Sequence, residues 1–154
     1  MAQTTTHSVS LQHSVIDFVM IADRAEVVNN KLYMLGGAWD TFLAAAKFPI
    51  SLSFSIVVAI LTPWHETNNQ QTFTIRCEDS DGHLLIPALQ AQFVVGRPPW
   101  AKKGQQFRSI FVANISLSLN QSGSYLIRTT LASGDTKAIE FHVISASAQP
   151  SDPK

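Results

Sequence analysis

The residues of this chain that could do chemistry form no complete catalytic motif. His65-Glu66 begins like the H-E-x-x-H zinc motif, but Asn69 occupies the place of the second histidine. Cys77 would need a histidine base beside it to act as a nucleophile, and its place on the apolar phase of a strand-like run predicts a buried, unreactive thiol. The sequence therefore predicts that the protein is not an enzyme and carries no cofactor. The five histidines do not have the spacing of metal ligands; they are His7, His13, His65, His83 and His142.

Three carboxylates, those of Glu78, Asp79 and Asp81, cluster just before the turn-forming Gly82. Calcium prefers oxygen ligands on loops of this kind. The stretch lacks the ligand series of the twelve-residue calcium loop, and an acidic hairpin turn is the more common use of such residues. We therefore expect no metal here and keep the three acids as weak calcium candidates.

Two loops carry aromatic residues among polar or stiff neighbours. Trp64 follows a proline and precedes a polar run, whereas Arg97, Pro98, Pro99 and Trp100 follow one another in a single loop. Proline pairs fix extended backbone, and tryptophan and arginine are enriched in binding hot spots. These five residues are the candidate protein-binding site. The alternative is that each tryptophan folds back and plugs one end of the domain.

The composition limits which classes of partner the protein is expected to bind. The chain has 154 residues, enough for one domain, and its eleven basic and eleven acidic residues cancel. A neutral chain has no long-range field for polyphosphate, so Lys102-Lys103 is weak evidence and no nucleic acid is expected. Only 14% of residues are charged, which fits a protein that sits against a protein partner or another copy of itself.

Location follows from the absence of targeting features in the sequence. The start, MAQTTTHSVS, has no basic and apolar leader regions, and the single cysteine permits no internal disulfide. The most apolar stretch, Phe48–Trp64, is interrupted by serines and shorter than the roughly 20 residues of a spanning helix. We expect a cytoplasmic protein without membrane insertion.

The sequence predicts that the elements positioning these residues are β-strands. Several runs have the two-residue period of strands, the clearest being Leu52–Ile60. In this run Leu52, Phe54, Ile56, Val58 and Ile60 should face the core, and Ser53, Ser55, Val57 and Ala59 should face outward. Asn29-Asn30, Asp81-Gly82 and Ser133–Asp135 mark hairpin turns, and Thr41–Lys47 is the best candidate for a helical turn or a loop. About eight strands predict an all-β fold, a two-layer antiparallel β-sandwich that is immunoglobulin-like or related.

Domain boundaries and two internal features complete this prediction. The body is expected at 14–144, with flexible tails at 1–13 and 145–154. Asp23-Arg24 interrupts an apolar run and could belong to a buried structural network or to a functional one. The structural network is favoured, because buried ions must be paired. Gly36-Gly37 inside a strand-like run suggests a bulge or a close backbone approach.

Three segments carry a family resemblance: FVMIADRAEVVNNKLYMLGGAWD (Phe18–Asp40), FSIVVAILTPWHETNNQQTFTIRCEDSDG (Phe54–Gly82) and FVVGRPPW (Phe93–Trp100). Together they resemble an uncharacterised bacterial family of small single-domain β-sandwich proteins, a domain of unknown function, and the resemblance covers Ile16 to Val143. It implies a small cytosolic β-sandwich. It implies no activity, ligand or catalytic residue, and a shared sandwich architecture would not fix function.

Two hypotheses of function follow. The first is a non-enzymatic module for protein interaction or self-assembly, supported by the low charge and the stiff aromatic loops. The alternative is a small-ligand or carbohydrate binder that uses Trp64 or Trp100 as a stacking platform, with Asp79 and Asp81 holding calcium.

Overall fold

Nine β-strands and one short 3₁₀ turn make up the part of the chain that the structure, a computed structural model, describes: residues 11–146. Of the tails predicted at 1–13 and 145–154, residues 1–10 and 147–154 lie outside the described residues, and Ser145 is the last residue of a strand. The strands are β1 (Val15–Val28), β2 (Lys31–Gly37), β3 (Thr41–Ala44), β4 (Ile50–Thr62), β5 (Gln70–Asp79), β6 (Leu89–Val94), β7 (Phe107–Leu119), β8 (Gly123–Leu131) and β9 (Thr136–Ser145). The all-β prediction is confirmed, with one strand more than expected.

The strands form two sheets. The first has four strands in the order β2-β1-β4-β7, and the second has five in the order β3-β9-β8-β5-β6. Every neighbouring pair is antiparallel except β3 and β9, which run parallel. The expectation of a purely antiparallel structure is therefore wrong at this one pair.

The core-facing side chains predicted for the run Leu52–Ile60 are buried, as expected. Leu52, Phe54, Ile56, Val58 and Ile60 are all buried in one core cluster that also contains side chains of the second sheet. Val57 and Ala59, expected to face outward, are also fully buried. Around Val57 on that outer face pack the partly buried side chains of neighbouring strands, Phe18, Met20, Ile110 and Val112.

The prediction of a helical turn or a loop at Thr41–Lys47 is wrong for its first four residues, whereas the last three form a loop. Thr41–Ala44 is a strand whose residues pair with His142–Ser145, and Ala44 is buried in the core. The alanines permit helix, but pairing with the end of β9 satisfies the backbone here instead, because tertiary contacts override a weak local propensity.

The predicted buried network at Asp23-Arg24 is also wrong, because both residues are exposed. β1 pairs with β4 only as far as Ala22, which lies opposite Ser55. Beyond that point β1 continues in a hairpin with β2 alone, so its charged side chains meet water and need no buried partner.

The predicted turns are confirmed where the sequence marks them most clearly. Asn29 and Asn30 have φ values of 49° and 60° and connect β1 to β2, as a tight hairpin requires. Gly36, with φ 57°, lies against the carboxylate of Asp23 so closely that a Cβ there would collide with it. The glycine therefore marks a close approach, one of the two alternatives predicted for Gly36-Gly37.

Candidate functional site

Trp64 and Arg97, two of the predicted binding residues, contact each other. Trp64 opens the 3₁₀ turn Trp64–Glu66 after β4, and its half-buried ring stacks on Phe107 at a centroid distance of 6.3 Å. The Arg97 guanidinium lies 4.4 Å from the Trp64 ring centroid. Its Nη2 donates to the Trp64 carbonyl oxygen at 2.8 Å and its Nε donates to Thr67 Oγ1. Arg97 thus ties its own loop to the loop after β4.

Trp100 occupies the corner of a turn and is not a core plug. The Ala101 amide donates to the Pro98 carbonyl oxygen at 2.9 Å, which closes a β-turn with Pro99 and Trp100 at its centre. Proline at the first central position presets the backbone of such a turn. The Trp100 side chain is exposed to 71% of its full area. A second turn over 102–105 follows directly, so the indole is presented on a tightly folded tip.

The acidic turn uses its carboxylates internally. Asp79 Oδ1 accepts hydrogen bonds from the amides of Asp81 (2.9 Å) and His83 (2.8 Å). The backbone hydrogen bond from His83 is the largest cause that lowers the pKa of Asp79 below its ordinary value. Glu78, in contrast, is buried and paired with Arg76 Nε at 2.7 Å. The structure therefore separates Glu78 from the other two acids.

The group that could approach a metal ion consists of Asp79, Asp81 and His83, whose ligand atoms lie within 4.8 Å of one another. Because Asp79 already caps the turn, the geometry has a structural explanation. Gln70 and Val94 pair at the opposite end of the β5–β6 ladder, next to the loop that carries Trp100. The acidic turn and Trp100 are thus separated by the length of β5, about 30 Å, and cannot form one site.

Cys77 is buried at 1% exposure, as predicted. Burial, with a smaller effect of Glu78, raises the pKa of its thiol to about 11. The thiol is therefore protonated at neutral pH, and only the thiolate is a good nucleophile.

Glu66, which suggested half of a zinc motif, anchors the start of β1. Its carboxylate accepts hydrogen bonds from the Ser14 amide and hydroxyl, both at 2.7 Å, and from His13 Nδ1 at 2.8 Å. Burial alone would raise the pKa of Glu66, but the hydrogen bonds from Ser14 and His13 together lower it. The group stabilises the chain entry into the first sheet.

The sequence reasoning missed an exposed apolar surface on the hairpin of β1 and β2, here called the hairpin arm (residues 23–37). Five large apolar side chains on it are exposed, from 36% to 73% of their full area. The register places Val28, Tyr33 and Leu35 on one face of the arm and Val27 and Met34 on the other. They are exposed because the arm extends beyond the last pairing of β1 with β4. The signal was present in the sequence, since VVNNKLYML carries apolar residues on both phases of each strand.

The hairpin arm and the Trp100 turn lie at opposite ends of the first sheet. β1 begins beside Leu61, close to the loop that carries Trp64, and runs antiparallel to β4 toward the arm. Arg97 joins the Trp100 loop to that same Trp64 end. The molecule therefore presents two separate apolar surfaces.

Within residues 11–146 there is no helix whose length and apolar character would let it cross a membrane. No curated protein and no solved structure matches the chain. One family model matches, that of a family of unknown function (DUF6941), and it aligns with residues 17–144, which include every strand's central part and both apolar surfaces. The chain belongs to this family of unknown function.

Proposed function

We propose that this domain is a non-enzymatic module for protein interaction, and that the hairpin arm is its main docking surface. One observation carries the proposal: of the ten large hydrophobic side chains exposed in the described part of the chain, five lie on the arm. Clustered exposed apolar groups mark interaction surfaces, whereas scattered ones need no explanation.

The Trp100 turn is the second contact in this proposal. Trp100 is the docking side chain, and Pro98 and Pro99 fix the backbone that presents it. Arg97 and Trp64 hold the loop that leads into this turn, because the Arg97 guanidinium packs on the Trp64 ring. A turn whose conformation is already fixed loses little entropy on binding, and a rigid aromatic anchor is a common hot spot.

The proposal is tested by removing apolar groups from the arm. Leu35, at 73% exposure, is changed to Asp together with Tyr33→Ser, and the matched control is Leu84→Ser, an exposed leucine outside the arm at 43%. Proteins captured by the immobilised wild type are compared quantitatively with those captured by each variant. We expect a partner that the arm variant loses at least tenfold and the control retains. Capture that is the same for all three proteins would contradict the proposal.

A carbohydrate or small-ligand binder is the second candidate, favoured by the exposed Trp100 ring on a fixed turn. An aromatic face of this kind can stack on an apolar ligand surface. Titration with oligosaccharides while tryptophan fluorescence is recorded tests it, with Trp100→Phe as the comparison. Saturable quenching that the variant weakens would support this function, and no change with any sugar would contradict it. Because the acidic turn is distant, calcium should not alter such binding.

The finer architecture and the location belong to the same proposal. A two-layer sandwich of the immunoglobulin-like or a related kind is supported by the larger core cluster, which both sheets share and in which the Phe54 ring of β4 lies 5.6 Å from the Phe141 ring of β9. A cytoplasmic location is supported by the free, buried Cys77. Fractionation of cells that express the full chain tests the location.

A further inference from the structure

The four edge strands of the two sheets differ in how they are protected. Within the described residues the edges are β2, β3, β6 and β7. β3 has four residues, β6 has six and is followed by Pro98 and Pro99, and β2 has seven and ends at Gly36-Gly37. Short length, proline and glycine all hinder the addition of another strand.

β7 has none of these protections. It has thirteen residues without proline or glycine, and Arg108 is its only charged side chain. Along its length it pairs with β4 on one side, and no described strand pairs with the other side. An edge of roughly 40 Å with unpaired backbone groups is a template for one more strand.

The side chains next to this edge are incompletely buried. Phe111, Ala113 and Ile115 face the core but remain half-exposed, whereas Leu117 and Leu119 on the same face are fully buried. Phe111 and Ala113 line a groove between β7 and β6 that opens onto the core. A strand added to β7 would place its own inward side chains along this groove.

We propose that the added strand is β7 of a second copy, so that two four-stranded sheets join into one sheet of eight. A two-fold axis at Ala113, the midpoint of Phe107–Leu119, pairs all thirteen residues in antiparallel register. It sets Phe111 opposite Ile115 of the second copy, an aromatic and β-branched pair of the kind that stabilises sheets. Arg108, which forms an ion pair with Asp17 of its own copy at 2.8 Å, then faces the neutral Ser118, so no like charges oppose one another.

This inference rests on the proposed interaction role and names a second copy as one partner, at an edge distinct from the hairpin arm and the Trp100 turn. The full-length chain should sediment at twice its 16.9 kDa mass at tens of micromolar protein. The Leu35→Asp/Tyr33→Ser variant should remain a dimer, so loss of partner capture and loss of dimerisation can be told apart. A monomer at these concentrations would overturn the inference.

The register is tested by two cysteine variants under mild oxidation. Ala113→Cys brings both cysteines to the axis, where the Cα atoms of opposite residues are about 4.5–5.5 Å apart, within disulfide range. Ser116→Cys is the control on the same strand, since residue 116 faces residue 110 of the second copy and the two cysteines would be about 20 Å apart. We expect a covalent dimer from the first variant only. Failure of Ala113→Cys to cross-link, or equal cross-linking by Ser116→Cys, would refute this pairing.

A charge test at an exposed position avoids changes to the core. In an Asp17→Asn background, which frees Arg108 from its ion pair with Asp17, Ser118→Lys sets like charges opposite Arg108 twice in the dimer, and Ser118→Glu sets opposite charges there. Because each exposed pair contributes modestly, the dimer dissociation constant should rise about threefold for Lys and fall about threefold for Glu. Equal effects of the two substitutions, or none, would count against the inference.

Discussion

Replacing Arg97 with alanine should destabilise the domain, whereas replacing Trp100 should not. Arg97 contributes two hydrogen bonds, to Trp64 and Thr67, and a guanidinium contact on the Trp64 ring. Hydrogen bonds of charged groups contribute about 1.5–3 kcal/mol each, but Arg97 is exposed and its share must be discounted for solvent screening. An exposed cation–π contact adds about 0.5–1 kcal/mol. We expect a total loss of about 2 kcal/mol for Arg97→Ala.

Trp100→Ala removes a ring that is 71% exposed, and surface changes cost within about 0.5 kcal/mol. Arg97→Lys is the matched variant, because it keeps the positive charge but loses the planar fork that reaches both Trp64 and Thr67. The loss of unfolding free energy in Arg97→Lys should be about half of the loss in Arg97→Ala.

The stability of all three variants is measured by urea unfolding and by thermal unfolding, both monitored by circular dichroism. In a chain of this size a loss of 2 kcal/mol corresponds to a decrease in Tm of about 4–8 °C. If Arg97→Ala unfolds at the wild-type urea concentration, the guanidinium contacts do not stabilise the two loops. If Trp100→Ala costs about 3–5 kcal/mol, as truncation of a core aromatic does, the turn is a structural plug and cannot be a docking site.

Three further predictions follow from single side chains. Cys77 should react with a thiol reagent far more slowly in the native state than in urea, and rapid native labelling would contradict its burial. Because its folded pKa is raised to about 11, its contribution to stability should be lost as pH rises from about 8.5 toward that value. Glu66→Gln should weaken the anchor on Ser14, and because the folded pKa of Glu66 is lowered, the variant should lose less stability than wild type as pH falls below about 4 in acid titrations. Gly36→Ala should cost about 1–3 kcal/mol in urea unfolding, since φ is 57° and the new Cβ meets Asp23, and an unchanged midpoint would refute the close approach.

The sequence by itself determined the strands and most of the turns. The two-residue alternation of Leu52–Ile60 is a property of neighbouring residues, so it could be read without the fold, and it placed the core face of β4 correctly. Asn29 and Asn30 likewise carry their left-handed conformation locally. The burial of Cys77 followed from the same alternation.

Only the tertiary structure decided features that depend on distant partners. Thr41–Ala44 becomes a strand because β9, a hundred positions later, offers backbone groups to pair with. Arg97 and Trp100 lie three positions apart, yet Arg97 binds Trp64 while Trp100 faces water. The exposure of the hairpin arm depends on where β4 stops pairing with β1. Local sequence sets backbone propensity, but contacts between residues far apart in the chain decide which side chains are used internally and which remain free to bind.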